Sequence, residues 1–166
     1  SRKINNELIK LLYYLESTDL DNTKWGPLFG NGKTSDYSLL EKNYLPLNEL
    51  KFDLINIIKT ETNANVFIAD SFFNILRKGG GSIAHHHMDS FDVTHNLINQ
   101  KYSLTYYLSI GDQKCDEPGV FKLYEPDEKI LPHEGMIMII PANRKHSAFY
   151  MGKKDRVMIG VNFYLY

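Results

Sequence analysis

The sequence is poor in the features that mark several large classes of protein. Its single cysteine, Cys115, excludes an intramolecular disulfide and a zinc site made of cysteines alone. Apolar runs such as residues 136–140 are far shorter than the roughly 20 residues that a membrane-spanning helix needs. The 19 basic and 20 acidic residues nearly balance, which argues against a nucleic-acid partner or a polybasic membrane contact. Residues 1–6 carry no apolar stretch typical of a secretory signal, so we expect a cytoplasmic protein.

What the sequence does contain divides it into two parts. Apolar residues recur at three- and four-residue spacings from Ile4 to Leu15 and again after Pro46, which predicts two amphipathic helices. From residue 65 onward, short β-type runs alternate with turn residues instead. We therefore predict an N-terminal helical buttress over residues 1–64 and a β core over residues 65–166, joined as one structural unit. No oligomeric state is indicated.

The β part predicts eight strands. They fall at residues 66–76, 82–87, 101–109, 119–124, 129–131, 136–140, 147–150 and 156–165. Short strands at this density, in a chain with 13% aromatic residues, are typical of an antiparallel sandwich or barrel. The predicted fold class is therefore mainly β with N-terminal helices.

The run His85-His86-His87-Met88-Asp89 is the most informative in the chain. Alternate side chains of a strand project from the same face, so His85, His87 and Asp89 would share one face. Imidazole nitrogens and a carboxylate suit a divalent transition metal, and two histidines with one carboxylate leave sites open, as in non-haem Fe(II) oxygenases. A further ligand must come from another strand, and His146 is the natural candidate. A surface accident or a tag remnant is the alternative, although the run lies between two predicted strands.

In the order of its motifs, the segment from residue 72 to residue 166 resembles the 2-oxoglutarate and Fe(II)-dependent oxygenases, specifically their prolyl-hydroxylase-like branch. The ordered pieces are His87-Met88-Asp89, the strand at residues 102–108, residues 118–124, residues 135–146, and the strand that opens with Arg156. The resemblance implies a double-stranded β-helix (a cupin-like jelly roll) with iron at one mouth. It also implies Fe(II), 2-oxoglutarate and dioxygen as cofactors, with ascorbate as a candidate reductant. A further resemblance, to oxygenase-like proteins of marine phages, indicates a viral gene expressed in a bacterial host.

The resemblance also implies the iron ligands. His87, Asp89 and His146 are the ligand set that we favour, and His85 is the alternative to Asp89. Two histidines and a carboxylate neutralise much of the Fe(II) charge, whereas three histidines leave it uncompensated until 2-oxoglutarate binds.

Two residues are implied as the cosubstrate site. Arg156 lies ten residues after His146, the interval at which this family commonly places the arginine that binds the distal carboxylate of 2-oxoglutarate. Arginine stays charged and offers a bidentate fork, which suits that role. Tyr107 matches the family's tyrosine that hydrogen-bonds the same carboxylate. The alternative for Arg156 is an ordinary surface arginine, and Tyr107 equally suits a core aromatic. The chain departs from related bacterial members at Met158, where they often carry a serine.

The activity that the resemblance implies is hydroxylation of a C–H bond, with a peptidyl proline or another amino-acid side chain as the leading target. The implied partners are a small-molecule cosubstrate and a peptide or protein substrate. Loop-like residues 21–33 and 90–100 are candidate lids over the site.

Two other readings use the same residues. The spacing of Gly79, His85 and His87, and that of residues 135–146, fits the metal motifs of a cupin-type metal enzyme. Against it, no glutamate follows His87 at the required distance, and Asn143 replaces a glycine of the second motif. A non-catalytic jelly-roll binding protein is the other alternative, because a fold alone does not establish catalysis.

Overall fold

The computed structural model describes residues 1–23 and 26–166 as two antiparallel sheets packed face to face, with helices on one side. The helices are α1 (Asn6–Tyr14), α2 (Leu45–Thr62) and α3 (Ser90–Thr94). The strands are β1 (Thr18–Asp19), β2 (Leu28–Phe29), β3 (Gly32–Thr34), β4 (Val66–Leu76), β5 (Gly80–His85), β6 (Lys101–Ser109), β7 (Phe121–Leu123), β8 (Glu128–Ile130), β9 (Ile137–Pro141), β10 (His146–Tyr150) and β11 (Arg156–Leu165). Within the described ranges, no helix is long and apolar enough to cross a membrane.

The order of strands in the two sheets identifies the fold. The six-stranded sheet runs β1-β3-β4-β11-β6-β9 and the five-stranded sheet runs β2-β5-β10-β7-β8. From β4 to β11 the chain changes sheet at every connection except the hairpin between β7 and β8, as in a double-stranded β-helix. This confirms the predicted fold class, and each of the eight predicted strands is present within a few residues of its expected bounds.

Sequence and local chemistry account for the two long helices. The side chain of Asn5 caps α1 by accepting hydrogen bonds from the N–H groups of Glu7 and Leu8. Pro46 occupies the first turn of α2, where its missing N–H costs nothing, and α2 ends at Asn63 in the left-handed conformation. Both helices pack their leucines on the outer face of the six-stranded sheet, against buried residues of β4, β6 and β11. The opposite, inner face of that sheet is therefore left to line the space between the sheets.

The N-terminal 64 residues contribute more than helices. Strands β1 and β3 extend the six-stranded sheet and β2 extends the five-stranded one. The sequence did not predict these three strands, because they are very short and two of them lie in a stretch whose glycines and asparagines indicate turns. Of the candidate lids, residues 21–33 contain β2 and part of β3, with residues 24 and 25 outside the described chain. Residues 90–94 form α3, where a loop was expected.

Candidate metal centre and cavity

Three histidines converge where β5 and β10 pair. The register of these strands places His146 directly opposite His85. The chain then holds His87 through a hydrogen bond from its backbone N–H to the carbonyl oxygen of Ala142, 2.8 Å away. One ring nitrogen from each of His85, His87 and His146 lies within 4.8 Å of the other two, and the Nε2 atoms of His87 and His146 are 3.2 Å apart. This geometry allows the three histidines to hold one metal ion, each through a single ring nitrogen.

Backbone carbonyls and aromatic rings orient these imidazoles. The Nδ1 atom of His85 lies 2.8 Å from the carbonyl oxygen of Ile83, and that of His146 lies 3.1 Å from the carbonyl oxygen of Arg144. A carbonyl can only accept, so each Nδ1 carries a proton and each Nε2 keeps its lone pair. Phe121 stacks on the ring of His146, with centroids 5.0 Å apart.

The histidines are neutral at physiological pH. Burial, together with repulsion from the neighbouring imidazoles, lowers the pKa of His87 to about 3 and that of His146 to about 4. Burial also lowers the pKa of His85. Neutral imidazole is the form that binds a metal, so the site does not have to lose protons before it is loaded.

Asp89 has a different position. Its carboxylate accepts a hydrogen bond from the N–H of Asp92 at 3.0 Å and so caps α3, while its other oxygen lies 3.4 Å from Nζ of Lys101. Its side chain is 60% exposed. The structure therefore brings together His85, His87 and His146, and places Asp89 at the start of the next helix.

A buried ion pair that the sequence did not predict anchors that helix. Asp92 is fully buried, 2.6 Å from Nζ of Lys101, and its other oxygen accepts a hydrogen bond from the hydroxyl of Tyr164 at 2.6 Å. Its carboxylate also accepts from the N–H of Asp89, completing a reciprocal capping box. Asp89 and Asp92 are three residues apart, which is the spacing of a capping box, and this was the sequence signal for the arrangement.

A cavity of about 220 Å³ extends from the histidines into the space between the sheets. Tyr107, Asn74 and Met158 line its inner part. Burial raises the pKa of Tyr107 to about 12, so its hydroxyl keeps the proton and can donate it in a hydrogen bond. Asn74, which pairs with Met158 across β4 and β11, is a further cavity residue that the sequence did not single out.

Arg156 lies behind Tyr107 and is 1% exposed, so it is not a surface arginine. Its guanidinium carbon is 5.1 Å from the centre of the Tyr107 ring, and Nη1 donates a hydrogen bond to the carbonyl oxygen of Pro118 at 2.9 Å. Its Nε has no hydrogen-bond partner among the described residues. Gly119 covers the guanidinium so closely that a Cβ there would lie 1.8 Å from Nη1. The chain thus encloses a positive charge with spare donor capacity.

The comparisons with known proteins identify the fold. No protein-family model matches the sequence, and no curated protein matches it either. Solved structures do match. A prolyl hydroxylase from Trichoplax adhaerens, in complex with a hypoxia inducible factor peptide fragment, has a TM-score of 0.68 and 13% identity, covering 96% of this chain and 75% of that one. HygX from Streptomyces hygroscopicus, with nickel, 2-oxoglutarate and hygromycin B bound, has a TM-score of 0.69 and 12% identity, covering 96% and 77%.

A Pseudomonas putida prolyl-4-hydroxylase has a TM-score of 0.64 and 12% identity, covering 96% of this chain and 82% of that one. The chain therefore has the double-stranded β-helix fold of the 2-oxoglutarate and Fe(II)-dependent oxygenases.

The low pKa values of the histidines predict an acid-sensitive fold in the metal-free protein. Because the folded pKa of His87 is about 3, below the unfolded value of about 6.5, the folded state binds fewer protons between these pH values. Neutral His87 therefore contributes fully to the free energy of unfolding above pH 6.5. Below pH 6.5 this contribution is lost, by up to about 1.4 kcal/mol per pH unit. Urea unfolding in EDTA, from pH 7 to 4, measures this slope.

In His87→Asn the slope should be shallower, whereas exposed His133→Asn should keep the wild-type slope. Equal slopes in wild type and His87→Asn would contradict the assigned burial.

Proposed function

We propose that this protein is a 2-oxoglutarate- and Fe(II)-dependent dioxygenase, with Fe(II) held by His85, His87 and His146. The observation that carries the proposal is the histidine cluster at one end of a cavity whose other end leads to Tyr107 and the buried Arg156. A cupin-type metal enzyme has no need of that arginine. A non-catalytic jelly roll has no need of either feature.

The donor set fits Fe(II). Three neutral imidazoles supply nitrogen ligands to a divalent iron and leave further coordination sites for a chelating cosubstrate. His85 is preferred to Asp89 as the third ligand for two reasons. Its ring nitrogen lies within 4.8 Å of those of His87 and His146, and Asp89 is already used as the cap of α3.

The inner end of the cavity fits a dicarboxylate. Burial lowers the pKa of Arg156, partly offset by Tyr107, yet an arginine keeps its charge at neutral pH. An anion near Arg156 would pair with a charge that has no acidic partner within salt-bridge distance in the described chain. Tyr107 can donate a hydrogen bond to the same carboxylate. Related members often have a serine at the position of Met158. Here Asn74, which pairs with Met158 from the neighbouring strand, supplies an amide instead.

When bound, Fe(II) and 2-oxoglutarate would supply the activation of dioxygen, with one oxygen atom entering succinate as carbon dioxide is lost and the other entering a C–H bond of the substrate. The residues of the chain bind and orient these groups. Arg156 and Tyr107 fix the distal carboxylate, and the rings of Phe72 and Phe121 line the cavity beside the histidines and exclude water. We propose an amino-acid side chain of a peptide or protein as the target, with proline first, by analogy with the peptide held by the Trichoplax adhaerens enzyme.

The test is an anaerobic titration of the Fe(II)-loaded protein with 2-oxoglutarate. We expect the weak visible charge-transfer band of the iron chelate to develop in wild type. In Arg156→Met, about 10-fold or more 2-oxoglutarate should be needed, because a charged hydrogen bond to the distal carboxylate is lost. Arg77→Met, which removes a partly exposed arginine, should titrate like wild type. No band in folded, iron-loaded wild type would overturn the proposed function.

The choice of third ligand makes a separate prediction. His85→Ala should weaken the affinity for Ni(II) or Fe(II) by about 10-fold or more, because one of three nitrogen ligands is lost. Asp89→Asn should change it by less than about 3-fold, since asparagine caps a helix as well as aspartate does. Metal affinity is measured by competition with a chromophoric chelator. The opposite ranking, with Asp89→Asn losing the metal, would assign Asp89 as the ligand.

A further inference from the structure

A polar row crosses the inner face of the six-stranded sheet beyond the histidines. Asn162 on β11 pairs with Asp70 on β4 and with Ser103 on β6. Asp70 occupies the next inward-facing position after Phe72, whose ring lies 6.5 Å from that of His87, so it lies about 7 Å along the strand from Phe72. Ser103 of this row lines the cavity, and Asp70 and Asn162 lie beside it, on the side of Phe72 away from Arg156.

Asp70 carries a half-buried negative charge that forms no salt bridge with any described residue. Its carboxylate accepts a hydrogen bond from Nδ2 of Asn162 at 2.7 Å. In the described part of the chain, no basic side chain lies within 4.0 Å of it, because Lys101 is paired with Asp92 and Asp89 instead. Burial raises the pKa of Asp70, which reflects the cost of removing a carboxylate from water. Such a cost is recovered when a cation binds.

Asn162 adds a second unsatisfied acceptor at the same point. The residue is 4% exposed, and its Oδ1 accepts no hydrogen bond from any described residue. Its Nδ2 is already committed to Asp70, which fixes the orientation of the amide. Two acceptors with spare capacity favour a ligand that donates hydrogen bonds.

Two aromatic rings complete this subsite. Tyr37 packs edge-on against Phe72 with centroids 5.4 Å apart, and both line the cavity. Burial raises the pKa of Tyr37, and the negative charge of Asp70 raises it further. Aromatic faces beside a carboxylate favour a cationic nitrogen group.

We propose that Asp70 and Asn162 bind an ammonium or guanidinium group of the substrate. This group would lie beside the three-histidine metal centre, where a C–H bond of the same substrate is hydroxylated. This inference rests on the proposed function and narrows its substrate class to molecules with a cationic nitrogen group. Arg156, behind Tyr107, and Asp70, beyond Phe72, then bind groups of opposite charge. The anionic carboxylate of 2-oxoglutarate therefore cannot take the place of the cationic group at Asp70, and the cationic group cannot take its place at Arg156.

Calorimetric titration of the Ni(II)- and 2-oxoglutarate-loaded protein tests the subsite without turnover. The probes are matched pairs that differ in charge, namely arginine against citrulline and lysine against norleucine. Each pair is used both as N-acetylated amino acids, which lack the α-ammonium, and as the central residue of a blocked glycine-flanked tripeptide. We expect wild type to bind the cationic member of at least one pair about 10-fold or more tightly than the neutral one. A preference confined to the tripeptides assigns the group to a peptide side chain, and one shared by the N-acetylated amino acids assigns it to a small molecule.

The decisive variant is Asp70→Asn, which keeps an acceptor for Asn162 and removes the charge. Its preference should fall to within about 2-fold, while its affinity for 2-oxoglutarate stays that of wild type. Glu61→Gln removes a carboxylate from the exposed surface of α2 and should keep the full preference. A preference that survives in Asp70→Asn, or no preference in wild type, would overturn the inference. If 2-oxoglutarate fails to bind but metal-free protein keeps an Asp70-dependent preference, the oxygenase proposal fails and the cation site stands.

Discussion

The site depends on the backbone pairing between β5 and β10. This pairing places His85 opposite His146, and the hydrogen bond from His87 to Ala142 brings the third imidazole to the same point. A slip of one residue in either strand would turn its histidine to the other face of the sheet. Aromatic packing and carbonyl contacts then set the ring orientations, and burial keeps the rings neutral. The candidate metal centre is thus a consequence of strand register.

The long strand β11 organises the rest of the cavity. It pairs with β4 and β6 along most of its length, with Arg156 at its start and Asn162 near its end. The helices cover its outer face, so its alternate residues are free to line the space between the sheets. The buried charge of Arg156 lies on one side of the histidines and the carboxylate of Asp70 on the other, which gives the cavity a direction. In the proposed function, that direction orients cosubstrate and substrate.

Periodicity and spacing predicted most of this structure. The eight strands, the two long helices, and the convergence of His146 with the histidine run could all be inferred, because each leaves a local pattern or a recurring interval. The choice between His85 and Asp89 could not be inferred from the sequence, since both residues would lie on the same face of an extended strand. It depends on where the strand stops and α3 begins. The sequence did not predict the hydrogen bond between Asp70 and Asn162 for another reason. The two residues are far apart in sequence and meet only because β4 pairs with β11.

The most direct test of this account is a crystal structure of the protein grown anaerobically with Ni(II) and 2-oxoglutarate, with anomalous scattering used to locate the metal. The account predicts a single nickel bonded to Nε2 of His85, His87 and His146. It also predicts that the distal carboxylate of 2-oxoglutarate contacts Arg156, and that Asp89 still caps α3. Nickel bound away from the histidines, or bonded to Asp89 in place of His85, would contradict it.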